Sequence, residues 1–371
     1  MNIWGVIIML FIFIAILFGG HFFIYFSLVK FLSIESANIK IGLALGLFAL
    51  GISYVVSSIL AHYGENIFTR VIYFISGLWL AVGWNILMAF MLLWITVGFF
   101  KFFSFNFNYK YLAIFSIILA LVYSSYGVWC AFNPKIKNIT VKIKNLPQEW
   151  ENKKVVQLSD IHLGHIYGKN FLSKIVSKTN IQNPDVVFIT GDLFDGMDGS
   201  LDALVGPLSD LGASGGVYFV TGNHETYLGV DKTVAILEKT PVRVLNNEMI
   251  NVSGMQILGV SYPQRGEEEN IKKIIKEIRD FNPQQPSILL YHSPSVAREA
   301  KKIGIDLQLA GHTHKGQLFP FQFITQLIYG KYHYGFSKEN DFSIYTSVGV
   351  GTWGPAMRTS GRPEIVVISF K

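Results

Sequence analysis

The feature that most limits what this chain can fold into is a gap in its charge. Residues 1–133 carry seven charged side chains, Lys30, Glu35, Lys40, Glu65, Arg70, Lys101 and Lys110, and the other 49 of 56 lie after residue 133. Residues 2–29, 41–61, 71–100 and 111–131 hold none. Each stretch is long enough to cross a hydrocarbon core of roughly 30 Å, which takes about 20 helical residues. The expectation is a transmembrane region of four helices over residues 1–132, followed by a water-soluble part large enough for a core of its own. The first stretch does not read as a cleaved leader: its apolar run is too long, it lacks a basic start, and three further spans follow.

The net charge of +6 divides evenly between the two parts. It is mild and forms no basic stripe with interleaved aromatics, so no nucleic-acid partner is expected. The single Cys130 excludes an internal disulfide and a cysteine zinc site,. It reads as a small apolar residue near a helix end. His21, Ser57 and Asn85 are uncharged polar residues within spans, which more often bond a neighbouring helix than mark a pathway. No charged residue lies within a span, which weighs against ion or proton transport. The membrane part reads as an anchor, or as a platform that brings the other part to lipid. Lys30, Lys40, Lys101 and Lys110 fall on one side, against Arg70, Lys135, Lys137, Lys142 and Lys144 on the other, a slight lean toward a cytoplasmic soluble part.

Residues 133–150 form the transition, where Lys alternates with Ile and Val from Lys135 to Lys144. The alternation predicts an edge strand, and a basic linker beside anionic headgroups fits almost as well. In 151–371, five apolar, β-rich runs end in polar residues of similar chemistry. Val155–Ser159 leads to Asp160-Ile161-His162, and Val186–Thr190 to Gly191-Asp192-Leu193-Phe194-Asp195. Val217–Val220 leads to Thr221-Gly222-Asn223-His224-Glu225, Ser287–Tyr291 to His292, and Asp306–Ala310 to Gly311-His312-Thr313-His314. Asp160 and His162, two apart, would point the same way in extended chain. Gly191 permits a close backbone approach. A helix is expected around Phe171, Leu172, Ile175 and Val176, with Asn183-Pro184-Asp185 as its stop. Others are expected from Leu228 to Lys239 and, behind the acids Glu267-Glu268-Glu269, along Ile271, Ile274, Ile275 and Ile278. Short strands are expected between Val242 and Val260, around Phe342–Val348 and over Glu364–Phe370. Strand and helix alternating, with polar residues at the strand ends, predicts an α/β domain with a site along one sheet edge.

The donor set is Asp160, His162, Asp192, Asn223, His292, His312 and His314. Carboxylate, amide and imidazole without sulfur suit Mn, Fe or Zn rather than copper(I) or iron–sulfur clusters. Seven donors are too many for one ion and suit two divalent metal ions bridged by a carboxylate, which Asp192 can supply.

Asp-x-His, Gly-Asp-x-x-Asp, Gly-Asn-His-Glu, a lone His after a strand and Gly-His-x-His, in this order, resemble the calcineurin-like metallophosphoesterases, and most nearly their membrane-attached bacterial branch. The resemblance covers roughly residues 138–371. It implies an α/β (α+β sandwich-like) metallophosphoesterase domain over 151–371. It implies that Asp160, His162, Asp192 and His314 hold one ion, that Asp192, Asn223, His292 and His312 hold the other, and that His224 is the catalytic histidine. It implies hydrolysis of phosphomono- or phosphodiesters by a hydroxide bridging the two metals. The branch often carries a small residue where this chain has Lys315 between His314 and Gly316, which adds a cation but removes no donor.

Asp195 and Glu225 read as supports that orient neighbours, His165 as a polar loop residue, and His333 as packing or surface. Arg358 and Arg362 read either as phosphate grips or as surface ion pairs. The competing function is a non-catalytic metal-binding membrane sensor or scaffold, against which stands an intact donor set with His224. The anchor favours a phosphate-ester substrate drawn from lipid or the cell envelope.

Overall fold

Four helices occupy most of the first part: α1 (Ile3–Phe31), α2 (Ala37–Tyr63), α3 (Ile67–Phe102) and α4 (Tyr109–Ala131). The computed structural model describes residues 3–105, 107–197, 201–264, 266–267 and 269–371, the side chains of Ile3, Val6, Met9 and Leu10 excepted. Among the described residues, these four helices are long and apolar enough to cross a membrane. Their apolar side chains point outward as well as inward, as suits helices solvated by lipid,. The polar residues inside them bond from helix to helix, as the sequence predicts. Trp79 Nε1 donates to His21 Nε2 at 3.0 Å, Asn85 Nδ2 donates to Ser124 Oγ at 2.9 Å, and the Ser57 and Ser76 hydroxyls meet at 2.6 Å. The chain divides into two units at Trp129/Cys130.

In the second unit the exit from α4 is bound down rather than loose. Ala131 O accepts from Tyr167 Oη at 3.2 Å, Phe132 O accepts from Lys174 Nζ at 2.8 Å, and Pro134 O accepts from Lys178 Nζ at 2.8 Å. The remaining elements are β1 (Lys135–Val141), β2 (Lys154–Leu158), α5 (Lys169–Asn180), β3 (Val186–Thr190), α6 (Val205–Ser209), β4 (Val217–Val220), α7 (Asn223–Leu228) and α8 (Val230–Leu237). There follow β5 (Val242–Val244), β6 (Glu248–Val252), β7 (Met255–Gly259), α9 (Ile271–Glu277), β8 (Ser287–Leu290), α10 (Ala297–Ile303) and β9 (Leu307–Ala310). The chain closes with α11 (Gln322–Tyr329), β10 (Gly335–Glu339), β11 (Phe342–Thr346) and β12 (Glu364–Phe370).

Among the described residues the strands form two six-stranded sheets, β1-β12-β2-β3-β4-β5 and β10-β11-β9-β8-β7-β6. In the first sheet β2, β3, β4 and β5 run parallel, and in the second β7, β8, β9 and β11 do. Side-chain alternation explains the layering. Val155, Val186, Phe188 and Val220 face Ile257, Ile288, Leu290 and Leu309 across the space between the sheets. The alternate residues Val156, Leu158, Val187 and Ile189 face Phe171, Leu172, Ile175 and Val176 on α5. On the far side Leu258, Leu289 and Ile344 cover Ile271 and Ile275 of α9 and Ala297 and Ala300 of α10. The architecture is an α/β/β/α sandwich with both faces of both sheets covered, which is why the strands read as continuous apolar runs.

Several predicted elements differ in detail. The helix expected over 228–239 is broken by Gly229 at φ 102°, so that α7 and α8 are separate. The acids expected near a helix start precede α9, whose cap is the Asn270 side chain accepting from Lys273 N. Glu269 instead accepts from the Tyr291 and Ser295 hydroxyls at 2.6 and 2.7 Å, and Glu268 lies outside the described residues. So do Asp198, Gly199 and Ser200, between β3 and β4. β1 is an edge strand, pairing parallel with β12. The elements α10, α11 and β10 have no clear signal in the sequence.

Trp150 shows how the sheets are held together. Its ring is fully buried in the inter-sheet core, 5.3 Å from Phe370, and its Nε1 donates to Val252 O at 2.8 Å. Trp150→Ala removes that volume and strands the carbonyl, so it should destabilise the second unit by about 3–5 kcal/mol. Denaturant titration of the full chain in detergent, followed by circular dichroism, checks this; a loss under about 1 kcal/mol would mean that the sheets do not depend on this side chain.

Candidate metal centre

Every predicted donor stands just past a strand's C-terminal end, and the strands belong to both sheets. β2, β3 and β4 of the first sheet present Asp160, His162, Asp192, Asn223 and His224; β8 and β9 of the second present His292, His312 and His314. The expectation of a site along one sheet edge is therefore corrected: the site sits where the ends of two stacked sheets meet. Gln157 ties them directly beneath it, its Nε2 donating to Thr190 Oγ1 at 3.0 Å and to Ala310 O at 2.9 Å.

The expectation that Asp160 and His162 point together because the chain is extended is also corrected. Asp160, His162, Asp192, His312 and His314 have φ of 51°, 54°, 51°, 70° and 48°, in the left-handed region. Tight left-handed turns, not strand alternation, aim these side chains. Each such non-glycine residue costs on the order of 1–3 kcal/mol and persists only when its surroundings enforce it. Here the two turns run side by side: Asp160 N donates to Gly191 O, His162 N to Asp192 O and Leu163 N to Leu193 O, at 2.9–3.1 Å. The approach is close enough to demand glycine. A Cβ on Gly191 would stand 2.6 Å from His292 Nδ1, and one on Gly311 would overlap Ser159 Oγ and Asp160 Oδ2.

Among the described residues, Asp160, His162 and His314 converge in one group, Asp192, His292 and His312 in another, and His162, Asp192 and His224 in a third. His314 Nε2 lies 3.3 Å from Asp160 Oδ1 and 3.0 Å from His162 Nε2. His292 Nε2 lies 3.0 Å from Asp192 Oδ2 and 3.2 Å from His312 Nδ1. Asp192 Oδ2 also lies 3.9 Å from His162 Nε2, so one oxygen faces both groups. Its other oxygen accepts from His224 N at 2.9 Å.

Hydrogen bonds behind the rings select their tautomers. His292 Nδ1 donates to Thr190 O at 2.8 Å and His224 Nδ1 donates to Asp195 O at 2.7 Å, so each ring turns Nε2 toward its other neighbours,. Asp195 also stands behind His162, its Oδ1 3.7 Å from Nδ1. Glu225 is fully buried and accepts three backbone N–H groups, from Gly222 at 2.6 Å, Asp192 at 2.9 Å and Phe194 at 3.1 Å. It thereby locks the turn after β3 to the turn after β4.

Burial, followed by the charge of Asp192, pushes the Glu225 carboxyl up to about 7. Burial lowers His162, His314 and His312, the last to about 4, and keeps these imidazoles in the neutral form that ligates,. Burial raises Asp160 to about 6 against the pull of His292. At Asp192 burial acts upward, but His292, His224 and His162 outweigh it and hold the carboxyl well below the usual carboxylate range. His292 answers: burial would lower it, and Asp192 drives it up to about 10. Asn223 Oδ1 is buried without a hydrogen-bond partner among the described residues. An orphaned amide oxygen, two pairs of imidazole nitrogens at 3.0–3.2 Å and a carboxylate oxygen facing both pairs fit a pair of divalent cations,.

The outlying residues fall elsewhere. Arg358 is neither a phosphate grip nor a surface ion pair: it is buried, and its guanidinium donates to His314 O at 2.8 Å and to Gly351 O. Arg362 Nε donates to Asn133 O at 3.0 Å. Lys315 Nζ lies 4.5 Å over the Tyr334 ring. His165, expected as an ordinary polar loop residue, is buried. His333 is half-buried, and its carbonyl accepts from Thr313 Oγ1 at 2.7 Å. Four aromatic rings border the centre: Tyr227 and Trp353 stand 5.3 and 6.3 Å from His224, and Tyr262 and Tyr329 each 6.2 Å from His312. As single aromatics outside any motif, Tyr227, Tyr262 and Tyr329 gave no signal in the sequence.

Residues 153–316, which contain all seven donors and His224, match the family model described as calcineurin-like phosphoesterase. An uncharacterized metallophosphoesterase of Campylobacter jejuni is 34% identical over 258 residues, covering 68% of each chain. One from Helicobacter pylori is 33% identical over 237 residues, covering 63% of each. A zebrafish (Danio rerio) transmembrane protein with metallophosphoesterase domain is 31% identical over 278 residues, covering 70% of this chain and 62% of that one. The chain thus spans between about three fifths and two thirds of the length of these relatives. On this likeness the chain belongs to the calcineurin-like phosphoesterases, a family of metal-dependent hydrolases.

Proposed function

We propose that this chain is a membrane-anchored phosphoesterase that cleaves phosphomono- or phosphodiesters at a dimetal centre. The observation that carries the reading is Asp192 Oδ2, which faces His292 of one sheet and His162 of the other. Asp160, His162, Asp192 and His314 would hold one divalent cation, and Asp192, Asn223, His292 and His312 the second. Bound there, the pair would supply Lewis acidity toward the phosphoryl oxygens and a water acidified toward the neutral range.

The chain's own residues do the rest. The carbonyl of Asp195 keeps a proton on His224 Nδ1 in either charge state of the ring, so proton exchange takes place at Nε2,. His224 therefore suits the general acid that protonates the departing oxygen. Its backbone N–H on Asp192 Oδ1 fixes that ring relative to the donor facing both groups. Glu225 holds both turns in register, and Arg358 fastens the backbone of His314. Tyr227 and Trp353 flank His224. With four membrane-capable helices in the same chain, the substrates we favour are phosphoesters of lipids or of the cell envelope. We read the domain on the cytoplasmic face, from the slight excess of Arg70 and Lys135–Lys144 on its side.

Purified full-length protein should hydrolyse bis(p-nitrophenyl) phosphate or p-nitrophenyl phosphate when Mn²⁺ is supplied, and should stop on chelation. Asp192→Asn should lower bound metal at both positions and abolish turnover; metal content and turnover equal to the parent chain would remove the bridging role. His224→Ala should keep its metal content and lose roughly 10²–10⁴-fold in turnover, the range of a general acid. Metal loss in that variant would make His224 a ligand instead.

A further inference from the structure

The helix α11 has its amphipathicity reversed. In a helix on a globular domain the apolar stripe faces the core. Here Phe323, Ile324, Leu327 and Ile328 form one face and all are exposed, Leu327 by 87%. None of the helix's residues is buried. The opposite face, carrying Gln322, Thr325 and Tyr329, turns toward the protein. Thr325 Oγ1 meets His333 Nδ1 at 3.4 Å, and the Tyr329 ring stands 6.2 Å from His312.

This face adjoins the metal centre. The start of α11 lies directly over Gly316, where a Cβ would overlap the backbone of Phe321 and Gln322. Gln317, just ahead of the helix, holds the Trp353 loop through Nε2 donating to Trp353 O at 2.8 Å. Trp353 and Tyr227, which flank His224, are themselves 61% and 67% exposed. Exposed aromatics thus stand beside His224, and α11 itself reaches the centre through Tyr329 beside His312.

A cleft of about 930 Å³ beside the helix is lined by Leu327 and Ile328 together with Arg298, Lys301, Lys302 and Lys331. The carboxylates there are Glu299 and Glu339, and Glu339 is already bound to Lys301 at 2.9 Å and Lys331 at 2.6 Å. The patch is thus apolar with a net positive flank. Apolar side chains beside cations, with Trp and Tyr at the margin, match the interface of a bilayer with anionic headgroups.

We propose that α11 is an interfacial docking helix, which seats the catalytic domain on an anionic phospholipid bilayer with the mouth of the metal centre beside the lipid surface. The occupant is a bilayer because the same chain carries four membrane-capable helices and because the flank of the patch is cationic. The inference rests on the membrane reading above and not on catalysis, so it is tested without turnover.

The test uses the full chain in nanodiscs of phosphatidylcholine and phosphatidylglycerol, with Cys130→Ala as background. A nitroxide is placed at Leu327→Cys or, as an aqueous reference, at the exposed Lys272→Cys. The Leu327 label should be more accessible to oxygen than to a water-soluble nickel complex, and the Lys272 label the reverse. In Leu327→Gln/Ile328→Gln, a label at Phe323→Cys should move to the aqueous pattern with the melting temperature unchanged. A Leu327 label that behaves like the one at Lys272 would overturn the proposal. So would a label immobilised and closed to both reagents, since protein would then cover the face, either this chain's own helices or a second copy. If labels report lipid while no phosphoester is hydrolysed, the docking stands and the catalytic reading falls.

Discussion

Asp192 Oδ2 stands 3.0 Å from His292 Nε2 and 3.9 Å from His162 Nε2, one imidazole from each sheet. The rest of the centre is arranged so that this oxygen can stay there. Its second oxygen is occupied by His224 N, its own N–H by Glu225, and its backbone carbonyl by His162 N. The approach is so close that Gly191 admits no Cβ on its His292 side. A carboxylate held from three directions has one oxygen left to offer, and it faces the space between the two groups of histidines.

Such an arrangement is unfavourable by itself. Five left-handed non-glycine residues and a set of fully buried titratable groups oppose folding,. What offsets them is the sandwich around them. Side chains from both sheets interleave in a core that closes over Trp150, and outer helices cover the remaining faces. The strain collects at the strand ends, where backbone polar groups have left the ladder and are free to form the turns. Burial keeps three of the imidazoles neutral, while mutual attraction keeps the Asp192–His292 pair charged against its burial, which is the electrostatic state that a cation would take over,.

The two units solve solvation differently. In the first, apolar side chains face outward, and the few polar ones pair between helices, as His21 does with Trp79. In the second, apolar side chains mostly face inward; Ile181, Phe319 and Phe336 are exposed as well, but four exposed apolar residues share one face of α11, and Tyr227 and Trp353 are exposed beside His224. A helix face of four exposed apolar side chains is a patch suited to an apolar phase, where scattered single ones are not.

The sequence carries the two solvents, the α/β class, the five strand ends and the chemistry of the donors. Those are local properties: runs of uncharged residues, apolar stretches of strand length, and residue types at fixed offsets. It also pointed to Glu225 and Asp195 as supports, because they lie within the same short motifs. The three-dimensional fold brings in the donors from two sheets, since strand order depends on pairings between residues far apart in the chain. It decided that Arg358 is buried behind His314 instead of gripping a phosphate, because a lone basic residue outside any motif reads the same either way. The aim of Asp160 and His162 was likewise set by left-handed turns, which neighbouring backbone enforces and no local spacing predicts. The reversed face of α11 belongs with these, because an amphipathic pattern tells which residues share a face but not which face the fold turns inward.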